Sequence, residues 1–470
     1  MPAPELITTR GDRGIAQTAP GDVATLFVAT LAARGPVGSH TTARSLTQWR
    51  KMYGGLIAAQ PTYNAIEAYF AEGGSRVITS RVASSTAVSA SLEIAGDGGT
   101  LATLTASGPG TWANEIAWTI QEEGDGMQVL GVEGNSEVLV NFFATDAESF
   151  LAGVNRSGVV TAVAGAGDWP ATEIGDAVMT GGTDVYNDVD IEDWETGLAL
   201  LDRELDSGTI VAPGVTDPDV HMALFRHAYA NNRWALADGL DTSNHSALVA
   251  AAKVIRDEMP LGAYGQILAP WEVVPGPGVG TVKTPPSGGQ AGRLALADRT
   301  YGPGPGQYAG ARFGLSRHSV DVTQTYTKEQ RDELSDAGVT VIRNIRGEVQ
   351  AYDDVTVVDA NEWPQYAGAA GMRVAMAIES QVDALLEQRM IETIDAKGHL
   401  LGAVEKDVVG VCSTWHRRNA LYGDLPEEAY KVTITNPEPR VIDAEVLLKT
   451  SEAARLIRLH IVKVAISDNI

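Results

Sequence analysis

The sequence predicts a multidomain protein of α/β and α+β character, with a β-rich unit carried between α/β parts. Three observations predict this. The chain has 470 residues, and single cores stop growing at about 250–300 residues, so two to four domains are expected. Strand, helix, strand patterns recur on both sides of the middle, as in βαβ units. Between about 86 and 183 they give way to short β-prone runs broken by Gly, Asn and Asp.

Each element follows from its local pattern. Residues 1–20 carry little apolar periodicity and read as an extended arm. "DVATLFVATLAA" is a buried strand, followed by helical "SLTQWRKMYGG" and "PTYNAIEAYFAEGG". The second of these puts Tyr63, Ile66, Tyr69 and Phe70 on one face and stops at Gly73-Gly74. "RVITSRV" is the next strand. "SLEIAG", "TLATLTAS", "EIAWTIQ", "MQVLGV" and "SEVLVNFF" make the β-rich unit, which "MTGGTD" closes.

Beyond it, "DWETGLALLDREL" is an amphipathic helix and "GTIVAPG" a buried strand. "TDPDVHMALFRHAYANNR" is a helix with Thr216 and Asp219 as its capping box and Pro218 in the first turn. The strand "RWALADG" and the helix "SALVAAAKVIRDEM" follow. The stretch from Gly262 to Gly314 is dense in Gly and Pro and is expected to be largely loop. "TKEQRDELSDAG" is a helix; "VTVIRNI" and "EVQAYDDVTVV" are strands. "GMRVAMAIESQVDALLEQRMIETI" is a long helix with Val374, Ile378, Val382, Leu385 and Met390 near one stripe. "AYKVTIT" and "RVIDAEVLLK" form a hairpin turning at Asn436-Pro437, and "RLIRLHIVKVAI" (455–466) is a last strand.

Net charge is −25, which argues against a nucleic-acid partner, because phosphate binding needs clustered Lys and Arg. The charge is uneven. Gly96 to Leu240 holds 24 acidic and 4 basic residues, whereas Leu401 to Ile470 holds 10 and 9. The first region suits a solvated, repulsive exterior and the second a surface covered by neighbours. The plainer reading is that the acidic residues keep a soluble protein soluble. One cysteine, Cys412, leaves no intrachain disulfide and suits a reducing cytoplasm. The start "MPAPELITTRGDRG" lacks the pattern of a signal peptide, and no apolar run is long enough to span a bilayer.

Catalytic and ligand motifs are weak. "PGPGVG" and "GPGPGQ" lack the Lys-Ser or Lys-Thr of a phosphate loop, and their prolines remove N–H donors. "DVYNDVDIED", Asp184 to Asp193, lacks the mid-loop Gly and terminal Glu of a calcium loop and reads as an acidic turn entering a helix. His221 and His227 point to different helix faces. Cys412 and His416 have no third ligand, so "VCSTWHRR" reads as a packed segment with a basic edge. Arg10-Gly11-Asp12 is a chance tripeptide. No catalytic, cofactor-binding or metal residue is assigned, and no cofactor is expected. An α/β hydrolase-like enzyme is the alternative from a different class.

Several segments, in order, resemble the sheath proteins of contractile phage tails. These are "YFAEGGSRVITSRV" (69–82), "ASGPGTWANEIAWTI" (106–120), "MTGGTDVYND" (179–188), "APWEVV" with "TPPSGGQAGRLALAD" (269–298), "GVTVIRNIRGEVQAYDDVTV" (338–357) and "ALYGDLPEEAYKVTIT" (420–435). Two places depart from the family pattern: Ala351-Tyr352-Asp353-Asp354, and "RTYGPGPGQYAG" after Asp298. The resemblance implies a nested arrangement. An outer β domain (86–182) is inserted in a middle α/β domain (183–335), which interrupts a core made of 21–85 and 336–470.

The resemblance also implies a function. Subunits would form stacked hexameric rings around a tail tube and contract to drive the tube through a host envelope. Implied partners are further copies of the chain, the tube protein, and baseplate and tail terminator proteins, without nucleic acid or membrane insertion. The implied place is the tail of a virion assembled in the host cytoplasm. A bacteriocin or type VI-like injection system is the alternative within the class.

Terminal arms would complete the β-sheets of neighbours. For the last strand, Leu456, Ile457, Leu459, Ile461 and Val464 supply apolar contact. Ile457, Leu459 and Ile461 share one face, each worth roughly 1.5–3 kcal/mol if buried. Arg458, His460 and Val462 lie on the other. The expected receiver is the hairpin of a neighbour, through Tyr430, Val432, Ile434, Val441, Ile442, Val446 and Leu448. Ordering costs about 1–2 kcal/mol per residue, so one link is reversible and many in a lattice hold. The alternative is that the strand pairs within its own chain.

Overall fold

The computed structural model describes residues 25–134, 137–205, 207–276, 280–301, 308–395 and 397–454. The arm 1–20 and the strand 455–466 lie outside them. Strands Thr25–Thr30, Trp234–Asp238 and Gly265–Ala269 are buried along their whole length. Such runs, buried on both faces, suit parallel strands covered on both sides. They belong to one eight-stranded sheet. Its order is Glu348–Ala351, Val339–Ile345, Gly265–Ala269, Trp234–Asp238, Thr209–Val211, Thr25–Thr30, Arg76–Arg81 and His40–Ala43. The inner strands are parallel, and the strand at each edge is antiparallel to its neighbour.

This sheet crosses a boundary expected from the sequence. Strands from 21–85, 183–335 and 336–470 share one hydrogen-bonded ladder and one core. The reason lies in Thr25–Thr30. It pairs on one side with Arg76–Arg81 and on the other with Thr209–Val211, so both neighbouring segments are needed to bury it.

Helices Leu46–Tyr53, Thr62–Ala71 and Pro286–Tyr301 pack in one group; Ile191–Ala199, Pro218–Ala230, His245–Arg256 and Lys328–Asp336 pack in another. Crossovers run in opposite directions from the Thr25–Thr30/Thr209–Val211 pair, and right-handed connections then place the two groups on opposite faces. The cap of Pro218–Ala230 is Asp217, whose carboxylate accepts from the Asp219 N–H at 2.9 Å, rather than the expected Thr216. The acidic run from Asp184 ends as a capping box, Asp190 with Asp193, on Ile191–Ala199.

The stretch expected to be loop, Gly262 to Gly314, instead holds three strands and the helix Pro286–Tyr301. Pro286 starts that helix, where proline needs no N–H partner. Its glycines are contact points. A Cβ on Gly288 would land on the Ala65 carbonyl oxygen, and one on Gly292 would overlap the Tyr69 carbonyl. The two helices thus touch backbone to backbone.

The β-rich unit folds as two antiparallel four-stranded sheets around its own core. Period-two burial, with Ile116, Trp118 and Ile120 inside, builds it. The helix Ala147–Asn155 and strands Val160–Ala164, Asp168–Ala171 and Ile174–Val178 complete it.

The long helix is Ala369–Glu387. Ala369, Ala370, Met372 and Met376 face the sheet core, while Val374, Ala377, Ile378 and Val382 face a separate carboxyl-terminal core. Met390 lies beyond the helix end and is exposed. The strand expected through "EVQAYDDVTVV" ends at Ala351.

Gly288→Ala should destabilise the fold by about 1–3 kcal/mol or more, because the clash is with backbone and cannot relax by a rotamer change. Denaturant unfolding checks this; Gly402→Ala, where a Cβ meets open space, serves as the control and should be neutral or mildly stabilising.

Candidate assembly surface

The hairpin consists of Tyr430–Thr435 and Asp443–Leu448, in register from Tyr430 opposite Leu448 to Thr435 opposite Asp443. Tyr430, Val432, Ile434, Val446 and Leu448 turn one face to the carboxyl-terminal core. Beneath them runs a helix, His399–Arg417, that the sequence reading missed. Its signal was present: Leu400, Val404, Val408, Val411, Cys412 and Trp415 recur at helical spacing and are buried. Asn436 holds the turn, its Nδ2 donating to the Glu438 and Val441 carbonyls. Ile442 packs on the core, and Val441 is exposed.

Among the described residues this sheet has two strands and nothing beyond either edge. Backbone direction identifies the open groups. The Lys449 N–H donates to the Ala429 carbonyl at 2.9 Å, and the Lys449 carbonyl accepts from the Tyr422 N–H at 2.8 Å. Both Lys449 groups therefore face inward. By alternation, those of Ala444, Val446 and Leu448 face out along one edge, and those of Val432 and Ile434 along the other. Such rows of open donors and acceptors are templates for another strand. The expected donor residues, Leu456 to Val464, fall outside the described residues, so their pairing is not part of this geometry.

The Glu452 carboxylate lies against Gly368 and Gly371, in a notch that a side chain on either glycine would fill. These glycines open the long helix, whose Ala370 N–H donates to Asp354 at 2.8 Å. Asp354 also accepts from the Tyr308 hydroxyl, and Arg373 pairs with Asp298. Asp298 and Arg373 line a small cavity with Gly208 and Thr209; Gly208 abuts the carbonyl of Thr25. Thr25 and Glu452, the first and nearly the last described residues, thus lie at the same end of the central sheet.

The opposite, carboxyl end of the strands is where open α/β sheets hold ligands, at the point where strand order reverses. Here the reversal falls between Thr25–Thr30 and Thr209–Val211, and the chain fills it. The Gln60 Oε1 accepts from the Leu31 N–H at 2.9 Å, and its Nε2 donates to the Pro213 carbonyl. Pro61 packs against Gly214, and the Thr62 hydroxyl pairs with that of Thr30.

Beside this plug, Asp238 accepts from the Gly214 N–H, the Ser287 N–H and the Ser287 hydroxyl, at 2.7–2.8 Å. Burial pushes its carboxyl up to about 7, against these hydrogen bonds and with help from the Glu272 charge. Other titratable groups are equally enclosed. Burial pushes the Cys412 thiol up to about 12. Burial, with the Arg233 charge, lowers His227 to about 3. The expected separation of His221 and His227 holds: His221 meets the Val215 carbonyl at 2.9 Å and His227 meets Arg233. Among the described residues no group of three His, Cys, Asp or Glu could hold a metal, and no helix is long and apolar enough to cross a membrane.

No protein-family model and no curated protein matches this sequence. Solved structures do. The sheath tail protein of Listeria innocua is 11% identical, with 92% of this chain and 96% of that one covered at a TM-score of 0.64. The sheath tail protein of Desulfitobacterium hafniense is 15% identical, with 91% and 92% covered at 0.59. The contracted sheath complex of PVC, an extracellular contractile injection system, is 13% identical, with 98% of both chains covered at 0.59. The chain therefore has the fold of contractile sheath proteins, over nearly its whole length.

The raised Asp238 carboxyl has a pH signature. The folded state holds this proton from the unfolded value of 3.8 up to about 7. The associated stability is full below the lower value and is lost as pH rises through the upper one. Asp238→Asn removes this dependence. Its cost relative to the parent protein should be greatest near the lower value and shrink towards neutral pH, as read by denaturant unfolding across the window. A cost that is flat across the window contradicts a raised Asp238.

Proposed function

We propose that the chain is the structural subunit of a contractile sheath, polymerising as stacked hexameric rings around an inner tube. The observation that carries this is the fold shared with sheath chains over 91–98% of the sequence. Two features support it: a hairpin with open edges, and the placing of Thr25 and Glu452 at one end of the sheet. In this reading the segments 1–20 and 455–466 are arms. Leu456 to Val464 of one subunit adds to the hairpin edge of the next, and Ile457, Leu459 and Ile461 extend its apolar face. The tube, baseplate and terminator proteins are its further partners, and the separately cored β-rich unit is the outermost domain. Its strong acidity keeps facing subunits apart.

The phage tail is the first setting for such a sheath. An injection system of the phage-tail-like kind is a second, supported by the anti-feeding prophage chains, which cover 98–99% of this sequence. Flanking genes separate the two: capsid and portal genes mark a phage.

The chain expressed alone should form long striated tubes under negative-stain microscopy. Small monodisperse particles across a wide range of salt would count against a sheath. Deleting 455–470 should leave a folded monomer with an unchanged circular dichroism spectrum and no tubes. Normal tubes from that truncated chain would remove the strand from the assembly mechanism while leaving the sheath reading intact.

A further inference from the structure

The β-rich unit leaves the body after Val82 and returns at Thr183, through bridges between Val88 and Thr183 and between Ser91 and Thr180. Two crossings alone would leave a hinge. The joint holds more than two crossings. Arg34, in the loop after the first strand, is 3% exposed, and its guanidinium pairs with Glu133, at the end of a strand of the β-rich unit. The Arg34 N–H also donates to the Tyr53 carbonyl at 3.2 Å, which seats the loop on the body. Arg81 ends the body strand and is 2% exposed. It donates to the Gly35 carbonyl at 2.9 Å and faces Tyr186 and Asp184 on the returning chain. Thr111, inside the β-rich unit, donates to Asp184, and the Tyr186 hydroxyl donates to the Ala32 carbonyl at 3.3 Å. Between the arginines, Gly108 presses against the Gly35 carbonyl so closely that a Cβ would overlap it.

Two desolvated cations on the body thus face two carboxylates at the joint: Glu133 within the β-rich unit, which pairs with Arg34, and Asp184 on the returning chain, which lies near Arg81 and is held from the unit by Thr111. A solvated hinge tolerates many angles. A buried guanidinium does not, because every orientation but one leaves it without its carboxylate in a dry site, and an unpaired buried charge is strongly disfavoured. We propose that Arg34–Glu133, together with the Arg81, Asp184 and Tyr186 cluster that Thr111 of the unit joins through Asp184, forms an electrostatic clamp that locks the inserted β unit to the body in one orientation. The two move as a single rigid piece, and motion between parts of the chain is confined to other joints. This inference does not rest on the sheath reading, since it concerns one subunit alone.

The test is a distance measurement across the joint. Lys51→Cys on the body and Asp125→Cys at a turn of the β-rich unit, both exposed, carry spin labels; buried Cys412 stays in place. Labelled full-length chain is diluted in excess unlabelled protein, so that only distances within a subunit are read. The parent protein should give one narrow distance distribution. Glu133→Gln combined with Asp184→Asn should broaden it or split it. Hydrogen exchange in the strands around Trp118 and Ile210 should stay protected, which shows that both parts remain folded. A broad distribution in the parent, or an equally narrow one in the double variant, overturns the clamp. If the double variant unfolds, Arg34→Lys, which keeps the charge and loses the fork, should broaden the distribution by less; an unchanged width there overturns the proposal as well.

Discussion

The structure depends on one buried arginine. Arg293 is 3% exposed and sits between two carboxylates, Glu72 at 3.3 Å and Glu272 at 2.8 Å, with the Gln290 side-chain Oε1 accepting from its Nε at 3.0 Å. Glu72 closes the helix Thr62–Ala71 and also accepts from the N–H groups of Arg317 and His318 and from the Ser316 hydroxyl. Glu272 starts a strand of the small sheet and accepts from Ser319 at 2.8 Å. One guanidinium therefore joins two helices, a strand and a loop. Removing one partner from such a buried group costs about 3–5 kcal/mol, because it leaves a charge without compensation. Glu272 also lies close enough to Asp238 to add, after burial, to what raises that carboxyl.

The same group explains where the sequence was hard to read. The strands of the central sheet announce themselves: "TLFVAT" and "WALAD" are short, mainly apolar runs, and the helix from "TDPD" carries proline in its first turn. The helix Pro286–Tyr301 does not. Its sequence, "PSGGQAGRLALADRTY", has the Gly content of a loop and polar residues on every side. It is buried nonetheless, because Arg293 and Asp298 each meet a partner supplied by another segment, and Gln290 meets Arg293 within the helix. No local pattern reports that Glu72, more than two hundred residues earlier, waits for Arg293. Glycine here means close backbone approach, and its ambiguity with flexibility is resolved only by the opposing helix.

The assembly surface divides in a similar way. The hairpin was legible from its alternation and from Asn436-Pro437, because both depend on neighbours in sequence. The notch that receives Glu452 was not. It needs Gly368 and Gly371 one helical turn apart, and a carboxylate arriving from some eighty residues later. The boundary between sheet segments was equally hidden, since strand order in a parallel sheet is set by crossovers rather than by adjacency in the chain. The helix Ala369–Glu387 shows the limit of a single-stripe reading. It buries two faces in two different cores, so its apolar residues exceed one stripe.

The plug at the strand reversal bears on what such a sheet is for. A parallel sheet flanked by helices leaves a crevice at that point, and chemistry in this architecture is usually grafted there. Gln60 spends both ends of its amide on it, satisfying the Leu31 N–H just past one strand and the Pro213 carbonyl just past the other. With Pro61 and Thr62 it turns a cleft into a packed joint between the helix Thr62–Ala71 and the sheet. That helix in turn holds Pro286–Tyr301 through the glycine contacts and Arg293. The sites that in another protein would bind a ligand are thus spent on stiffness. A stiff body, a clamped β unit and a hairpin with open edges are the parts a subunit needs if its work is to transmit force between neighbours.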